Sequence, residues 1–303
     1  MSIGAVPGTG PATGPLTVVR KATRKTFADL PTDRTLVMGI LNVTNNSFSD
    51  GGENFDTGKA IDHGLRMHYA GADLIDVGGE STAPGTDEVS PEEEQARILP
   101  VIEALLKAGV YLSVDTRHVS TARAALELGD VIINDVSGLN HETEMPACIA
   151  ETGARYIVMH NRGNSKTMDG LTQYTSLVDD VVTELQQVVD TFLAAGVKKD
   201  QLIVDPGLGF SKAGEQNWQL LNNVPALQAL GYPVLIGASR KRFLGTMLAE
   251  EHGEPVEPRQ RDHATAAITA QMAQAGVWGV RVHSIIPNVD AVKTAAAKQQ
   301  SAE

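Results

Sequence analysis

Eight short apolar runs, each of strand length and each ending in polar residues, recur from Leu36 to His283 with helical patterns between them. Their polar ends are Asn42, Glu80, Asp115, Asn134 with Asp135, His160, Asp205, Ser239 with Lys241, and Arg281 with His283. Alternation of strand and helix is the signature of βαβ units and parallel strands. The expected strands span 36–42, 73–79, 110–115, 131–135, 155–160, 202–205, 233–238 and 278–283. Runs such as VLIGA and YIVM are apolar throughout, which suits strands covered on both faces. Polar residues at all eight strand ends favour closure into a barrel over an open doubly wound sheet, whose ligand residues gather at one switch point. No Gly-rich dinucleotide fingerprint follows the first strand.

The fold class is therefore α/β, a (β/α)8 TIM barrel forming a single domain over residues 35–298, with a flexible N-terminal arm at 1–34 and a tail at 299–303. The Gly and Pro content of MSIGAVPGTGPATGPL suits a mobile arm, and the segment lacks the basic and apolar regions of a signal peptide. Between the strands, Ser90, Pro91 and Glu93 predict a capping box with proline at the first helical position, and Pro100 predicts a kink further along that helix. Val178, Val181, Val182, Leu185, Val188, Val189 and Phe192 predict a helix from about Ser176 to Ala195 ended by Gly196, and an Ala-rich helix follows over Asp262 to Ala275.

Composition narrows the function classes. A length of 303 residues with 42% hydrophobic residues suffices for a large core, and a net charge of −12 argues against general nucleic-acid binding and for a soluble, cytoplasmic chain. No run of 18 apolar residues offers a membrane span. The single Cys148, within a helical pattern, excludes an internal disulfide framework and a cysteine-based zinc site and reads as a small buried hydrophobe.

Side chains at the C-terminal ends of barrel strands point into a shared mouth. Asp115, Asn134 and Asp205 would meet there, and such short, fixed groups suit a flat heterocycle with several N–H donors and a carbonyl. Each alone is equally a helix cap. Ser239, Arg240, Lys241 and Arg242 follow strand seven where a helix is expected to start, and Arg281 and His283 share one face of strand eight. Basic residues so grouped in an acidic chain suggest an anionic substrate. Two loops, Val43 to Gly52 and Gly78 to Gly85, are rich in Gly and small polar residues and suit covers for the mouth.

The stretches MGILNVTNNSFSDGG, LIDVGGEST, LSVDT, INDVSG, VMHNR, LIVDPGLGF, GASRKRFLG and WGVRVH, in that order between Met38 and His283, make the chain resemble the dihydropteroate synthases. The resemblance implies condensation of 6-hydroxymethyl-7,8-dihydropterin diphosphate with 4-aminobenzoate to give 7,8-dihydropteroate and pyrophosphate, in folate biosynthesis. Carried over residue by residue, it gives the pterin to Asp115, Asn134, Asp205 and Lys241, with Met159 and Phe210 lining the slot. It gives the diphosphate to Asn42, Arg281 and His283, with Mg²⁺ held partly by Asn42. Phe48, Asp50, Thr82 and Pro84, on the two loops, would complete the aminobenzoate pocket, with Arg242 near its carboxylate and Asp50 assisting the chemistry. A homodimer is also implied.

The chain departs from the family pattern at Asn45 and Asn46, where Pro-Asp is common, at Ala83, where an Arg is common, and at Ser284, where Asp is common. These departures bear on loop closure, aminobenzoate affinity and sulfonamide sensitivity, and leave the pterin residues intact. Two alternatives differ in kind: a pterin-dependent methyltransferase barrel, which needs no diphosphate residues, and a non-catalytic pterin-binding paralogue, which would tolerate loss of Asn42, Asp115, Lys241 or His283.

Overall fold

The computed structural model describes residues 23–44, 56–80, 89–164, 166–250 and 253–301. Its strands are β1 (Leu36–Asn42), β2 (Leu74–Gly78), β3 (Leu112–Asp115), β4 (Val131–Asp135), β5 (Arg155–Met159), β6 (Leu202–Asp205), β7 (Leu235–Ile236) and β8 (Gly279–Val282). All neighbours pair in parallel, in the order β6-β5-β4-β3-β2-β1-β8-β7. A bridge between Val204 and Val234 joins β6 to the start of β7 and closes the ring, which excludes the open sheet. β7 is shorter than the 233–238 expected; at its start Pro233 has no N–H to donate, although its carbonyl accepts from the Val204 N–H at 2.9 Å.

Helices wrap the ring: α1 (Thr57–Tyr69), α2 (Pro91–Lys107), α3 (Val119–Leu128), α4 (Met145–Thr152), α5 (Leu177–Ala194), α6 (Gly214–Asn222), α7 (Val224–Gln228), α8 (Arg242–Leu248), α9 (Asp262–Gln274) and α10 (Ile285–Gln300). Half of the predicted capping box forms. Ser90 Oγ accepts from the Glu93 N–H at 3.2 Å, but the Glu93 carboxylate turns to Arg97, a stronger partner than a backbone amide. α2 runs on through Pro100, and Cys148 is fully buried in α4. Among the described residues no helix is long and apolar enough to cross a membrane.

The core has two layers, separated by the barrel wall. Outside it, strand residues such as Val37, Ile75, Val114 and Ile133 pack against the helices. Inside it, Leu36, Met38, Leu74, Tyr111, Ile132, Ile157, Ile203 and Leu235 fill the N-terminal end. Successive side chains of a strand alternate in direction, so the residues two further along face inward as well, one layer higher. Above Leu74 stands Asp76, above Ile132 Asn134, above Ile157 Met159 and above Ile203 Asp205. The polar layer is thus a consequence of the same alternation that builds the plug beneath it.

The last residues of the expected flexible arm are not loose. Phe27 stacks on Trp278 with ring centroids 6.2 Å apart, the Arg155 guanidinium lies 3.6 Å from the Phe27 centroid, and Leu30 is buried against the inner core. Thr26 donates from both N–H and Oγ to Asp29, closing a one-turn helix that holds the ring in place. The Gly- and Pro-rich stretch lies outside the described residues, whereas Phe27 and Leu30 gain apolar contacts at the barrel floor. The structured barrel also runs past residue 298, since α10 continues to Gln300.

Candidate functional site

A cavity of about 1000 Å³ opens at the C-terminal end of the barrel, lined by Asn42, Asn134, Met159, Asp205, Phe210, Ser239, Lys241, Arg242, Arg281 and His283. Nine of the ten expected site residues that the structure describes therefore share one space, and Asp115 is the exception. Asp115 opens instead on a neighbouring cavity of about 240 Å³, and Val136, Met168 and Phe210 line both spaces. Phe48, Asp50, Thr82 and Pro84, together with Asn45, Asn46 and Ala83, lie outside the described residues.

Asp205 and Asn134 form the polar wall. Asp205 Oδ1 accepts the Gly207 N–H at 2.7 Å, a turn that needs the positive φ of Gly207, where a Cβ would collide with the His160 carbonyl. Burial pushes the Asp205 carboxyl above its ordinary range, opposed by the Gly207 N–H and by Lys241. Asn134 donates from Nδ2 to Asp76 Oδ2 at 3.1 Å, which leaves its amide oxygen to accept from a ligand. Lys241 sits with Nζ 4.1 Å from the Phe210 centroid, and burial with the nearby Arg281 charge pulls its amine down to about 8 against the pull of Asp205 and Asp115. Met159, Met168 and Phe210 form a small apolar cluster beside this wall.

The basic residues divide differently from the sequence reading. Arg281 does not stand free for an anion: its Nε donates to Asp76 Oδ2 at 2.6 Å and its Nη2 to Asp115 Oδ2 at 2.7 Å. Two buried carboxylates hold a guanidinium more strongly than water does, which keeps the Arg281 charge despite its burial. Arg240, in a left-handed conformation at φ 58°, turns away to pair with Asp262 at 2.7 and 2.8 Å. Arg242 is exposed at the cavity edge. His283 accepts rather than donates at Nδ1. Its backbone N–H already donates to Ser239 Oγ at 3.1 Å, so the serine hydroxyl is left to donate to Nδ1 at 3.0 Å. Burial, with Arg240 and Arg281 nearby, pulls the ring down to about 3, so His283 is neutral with Nε2–H as its remaining donor.

Sequence reasoning missed two groups. Asp76 lies mid-strand in LIDVG and is fully buried, and counting by twos from Leu74 would have placed it inward. Lys212 lines the cavity wall, with Nζ donating to the Phe210 carbonyl at 2.8 Å and to His160 Nδ1 at 2.9 Å. Asp135 and Glu80, both noted as strand ends, serve structure: Asp135 accepts from Tyr156 Oη at 2.8 Å and Glu80 pairs with Arg117 at 3.0 Å.

A barrel whose mouth brings buried acids, an amide and cations to one cavity fits the class of pterin-binding enzymes. The family model described as "Pterin binding enzyme" matches residues 38–283. The dihydropteroate synthase of Mycobacterium leprae is 47% identical over 262 residues, 86% of this chain and 92% of that protein. A solved dihydropteroate synthase of Xanthomonas albilineans with 4-aminobenzoic acid superposes with a TM-score of 0.80 at 40% identity, covering 88% of this chain and 94% of that one. The same organism's enzyme in complex with 7,8-dihydropteroate gives 0.78 at 38% identity, covering 89% and 95%. The chain belongs to the dihydropteroate synthase family.

Proposed function

We propose that the large cavity condenses 6-hydroxymethyl-7,8-dihydropterin diphosphate with 4-aminobenzoate, releasing pyrophosphate and forming 7,8-dihydropteroate. The observation that carries the assignment is the convergence of Asn134, Asp205 and Lys241 with Asn42, Arg281 and His283 on one cavity. Asp205 and Asn134 accept from ring N–H groups, Asp115 contributes a further acceptor, and Lys241 donates to the ring carbonyl. Met159 and Phe210 flank the ring.

The methylene carbon–oxygen bond breaks with its electron pair leaving on the diphosphate, while the electron-rich pterin delocalises the positive charge. The aniline nitrogen then forms the new carbon–nitrogen bond and loses a proton. No protein nucleophile is required. His283, through Nε2–H, and Arg281 stabilise the departing diphosphate. Arg242 faces the aminobenzoate carboxylate, and Phe48, Asp50, Thr82 and Pro84 complete that pocket, as the family resemblance implies.

Among the described residues no three carboxylate, imidazole or thiolate groups gather as a metal cluster, and Asn42 offers one exposed amide oxygen at the cavity. That hard donor fits Mg²⁺, which keeps several waters and takes further oxygens from substrate phosphates. Asn42 would hold the ion, whose charge eases departure of the diphosphate. We also propose a homodimer, as the family resemblance implies.

The test is incubation of the purified protein with Mg²⁺, dihydropterin diphosphate and labelled 4-aminobenzoate. Labelled dihydropteroate is the expected result. Tight pterin binding without product would indicate a non-catalytic paralogue, and methyl transfer to a corrinoid would indicate the methyltransferase reading.

A further inference from the structure

Arg281 reaches from β8 past β1 and β2 to β3, so its guanidinium lies across the barrel interior between Asp76 and Asp115. A ring that lies against Asn134 and Asp205 and also touches Asp115 must take up space and lone pairs that the guanidinium now holds. We propose that Asp76 is a positioning residue that moors Arg281 by Nε, while the pterin ring displaces Nη2 from Asp115 and so delivers it to the diphosphate. This inference rests on the reading of the cavity given above.

Asp76 is suited to be the fixed end. It has no solvent exposure, its Oδ2 serves both Arg281 Nε and Asn134 Nδ2, and its Oδ1 has no hydrogen-bond partner among the described residues. Taking Arg281 away would leave a buried carboxylate with one amide N–H, a costly state. Asp115 is suited to be the exchangeable end. Burial already pushes its carboxyl above the ordinary range against the pull of Arg281, so a ligand N–H or its own proton compensates when the guanidinium leaves. Arg281 lines the same cavity as His283 and Asn42, so a freed Nη2 needs no travel beyond that space.

Each half of the substrate thus removes an obstacle to the other. The ring releases Nη2 for the anion, and the anion draws Nη2 away from the acceptor that the ring uses. By linkage the two effects are equal.

Isothermal titration with 6-hydroxymethyl-7,8-dihydropterin and with pyrophosphate, each alone and each in the presence of the other, with Mg²⁺ throughout, measures that linkage. In the unaltered protein each ligand is expected to tighten the other about tenfold, within the usual range of coupling between sites. Asp115→Asn is expected to bind pyrophosphate alone more tightly and to show coupling below about twofold. Asp76→Asn is expected to lose the coupling without that gain. Should Asp76→Asn fail to fold, Arg281→Lys, which keeps the charge but has a single nitrogen and so cannot stay moored to Asp76 by one while delivering another to the diphosphate, is expected to lose the coupling too. Independent binding of both ligands to the unaltered protein, or coupling retained in Arg281→Lys, overturns the mooring and leaves the site reading standing. Failure of both ligands to bind overturns the site reading itself.

Discussion

Lys212 donates from Nζ to Nδ1 of His160 across 2.9 Å, and the imidazole continues the contact from Nε2 to Glu184 at 2.9 Å. Glu184 also receives Arg162 Nε at 2.9 Å, and the Arg162 guanidinium lies 4.0 Å from the Tyr174 centroid. A line of polar contacts therefore runs from the cavity wall out to α5. Its inner end fixes Phe210, whose carbonyl accepts the same Lys212 ammonium at 2.8 Å. Burial pulls the Lys212 amine down to about 7, a strain the fold accepts in exchange for two satisfied acceptors.

Lys212→Met strands the Phe210 carbonyl and His160 Nδ1 without a donor, which is expected to lower stability by about 1–3 kcal/mol. Phe210 then loses its fixed place beside the slot. Steady-state kinetics should show KM for the pterin diphosphate up about tenfold, roughly 1.4 kcal/mol of ground-state binding, with kcat within about threefold. A matching fall in kcat with KM unchanged would assign Lys212 to the chemistry rather than to holding the slot.

The imidazoles of buried His160 and half-buried His283 give stability a defined dependence on pH. Burial, with Lys212 nearby, pulls His160 down to about 4, and burial pulls His283 down to about 3. Below the ordinary histidine value of about 6.5 the unfolded chain binds protons that the fold does not, so stability falls as pH is lowered toward these values. The raised carboxyls of Asp115 and Asp205 act in the opposite sense, so the informative quantity is the difference between a variant and its parent. Denaturant unfolding of His283→Asn at several pH values from 7 down to about 4 should give a shallower decline. Parallel declines would mean that His283 is protonated in the folded state.

The inner-face alternation explains why so much of the site was legible. Asn134 and Asp205 stand two residues above Ile132 and Ile203, and a strand of known direction needs no further information to place them in the mouth. Asp76 follows the same rule from Leu74, whereas a reading by strand ends selects Glu80 instead. The strand and face of Arg281 follow from the sequence, but its partners depend on ring order, which brings β8 near β2 and β3. Lys212 gave no local signal at all. Its amine turns inward to meet a histidine 52 residues away, and Arg240, one of four consecutive polar residues, turns outward to Asp262 because its backbone enters the left-handed region.

Asp50 lies in the first loop and carries the chemistry assigned to it by resemblance alone. Asp50→Asn keeps the size and polarity of the side chain and removes its charge and basicity. Turnover is expected to fall about 10²-fold or more, the usual scale for loss of a proton-transfer or charge-stabilising group. Full turnover in a product assay would remove Asp50 from the mechanism.

Ala83 stands where the family commonly has an Arg, so the second loop of this chain lacks the guanidinium that the family commonly carries there. Restoring it with Ala83→Arg adds a bidentate donor for a carboxylate and is expected to lower KM for 4-aminobenzoate by about threefold to tenfold, in line with one charge-assisted contact at a solvated site. An unchanged KM in the same assay would show that another group, such as Arg242, already supplies that contact.

The barrel floor offers a separation of stability from activity. Phe27 lies between the Trp278 ring and the Arg155 guanidinium, at the opposite end of the strands from the cavity. Its backbone N–H donates to Asp130 at 3.2 Å, so the turn stays anchored when the ring is removed. Phe27→Ala forfeits the stacking, the cation–π contact and part of the cover over Leu30 and the inner core. Because the ring is only half-buried, the expected loss is about 1–3 kcal/mol rather than the roughly 3–5 of a fully enclosed phenylalanine. The polar layer above is held by strand alternation and by contacts of its own, so both KM values should stay within about twofold of the parent at temperatures where the variant is folded. Thermal unfolding and steady-state kinetics on the same preparation check both halves. A rise in KM for the pterin diphosphate would show that the floor and the mouth are mechanically coupled through the barrel interior.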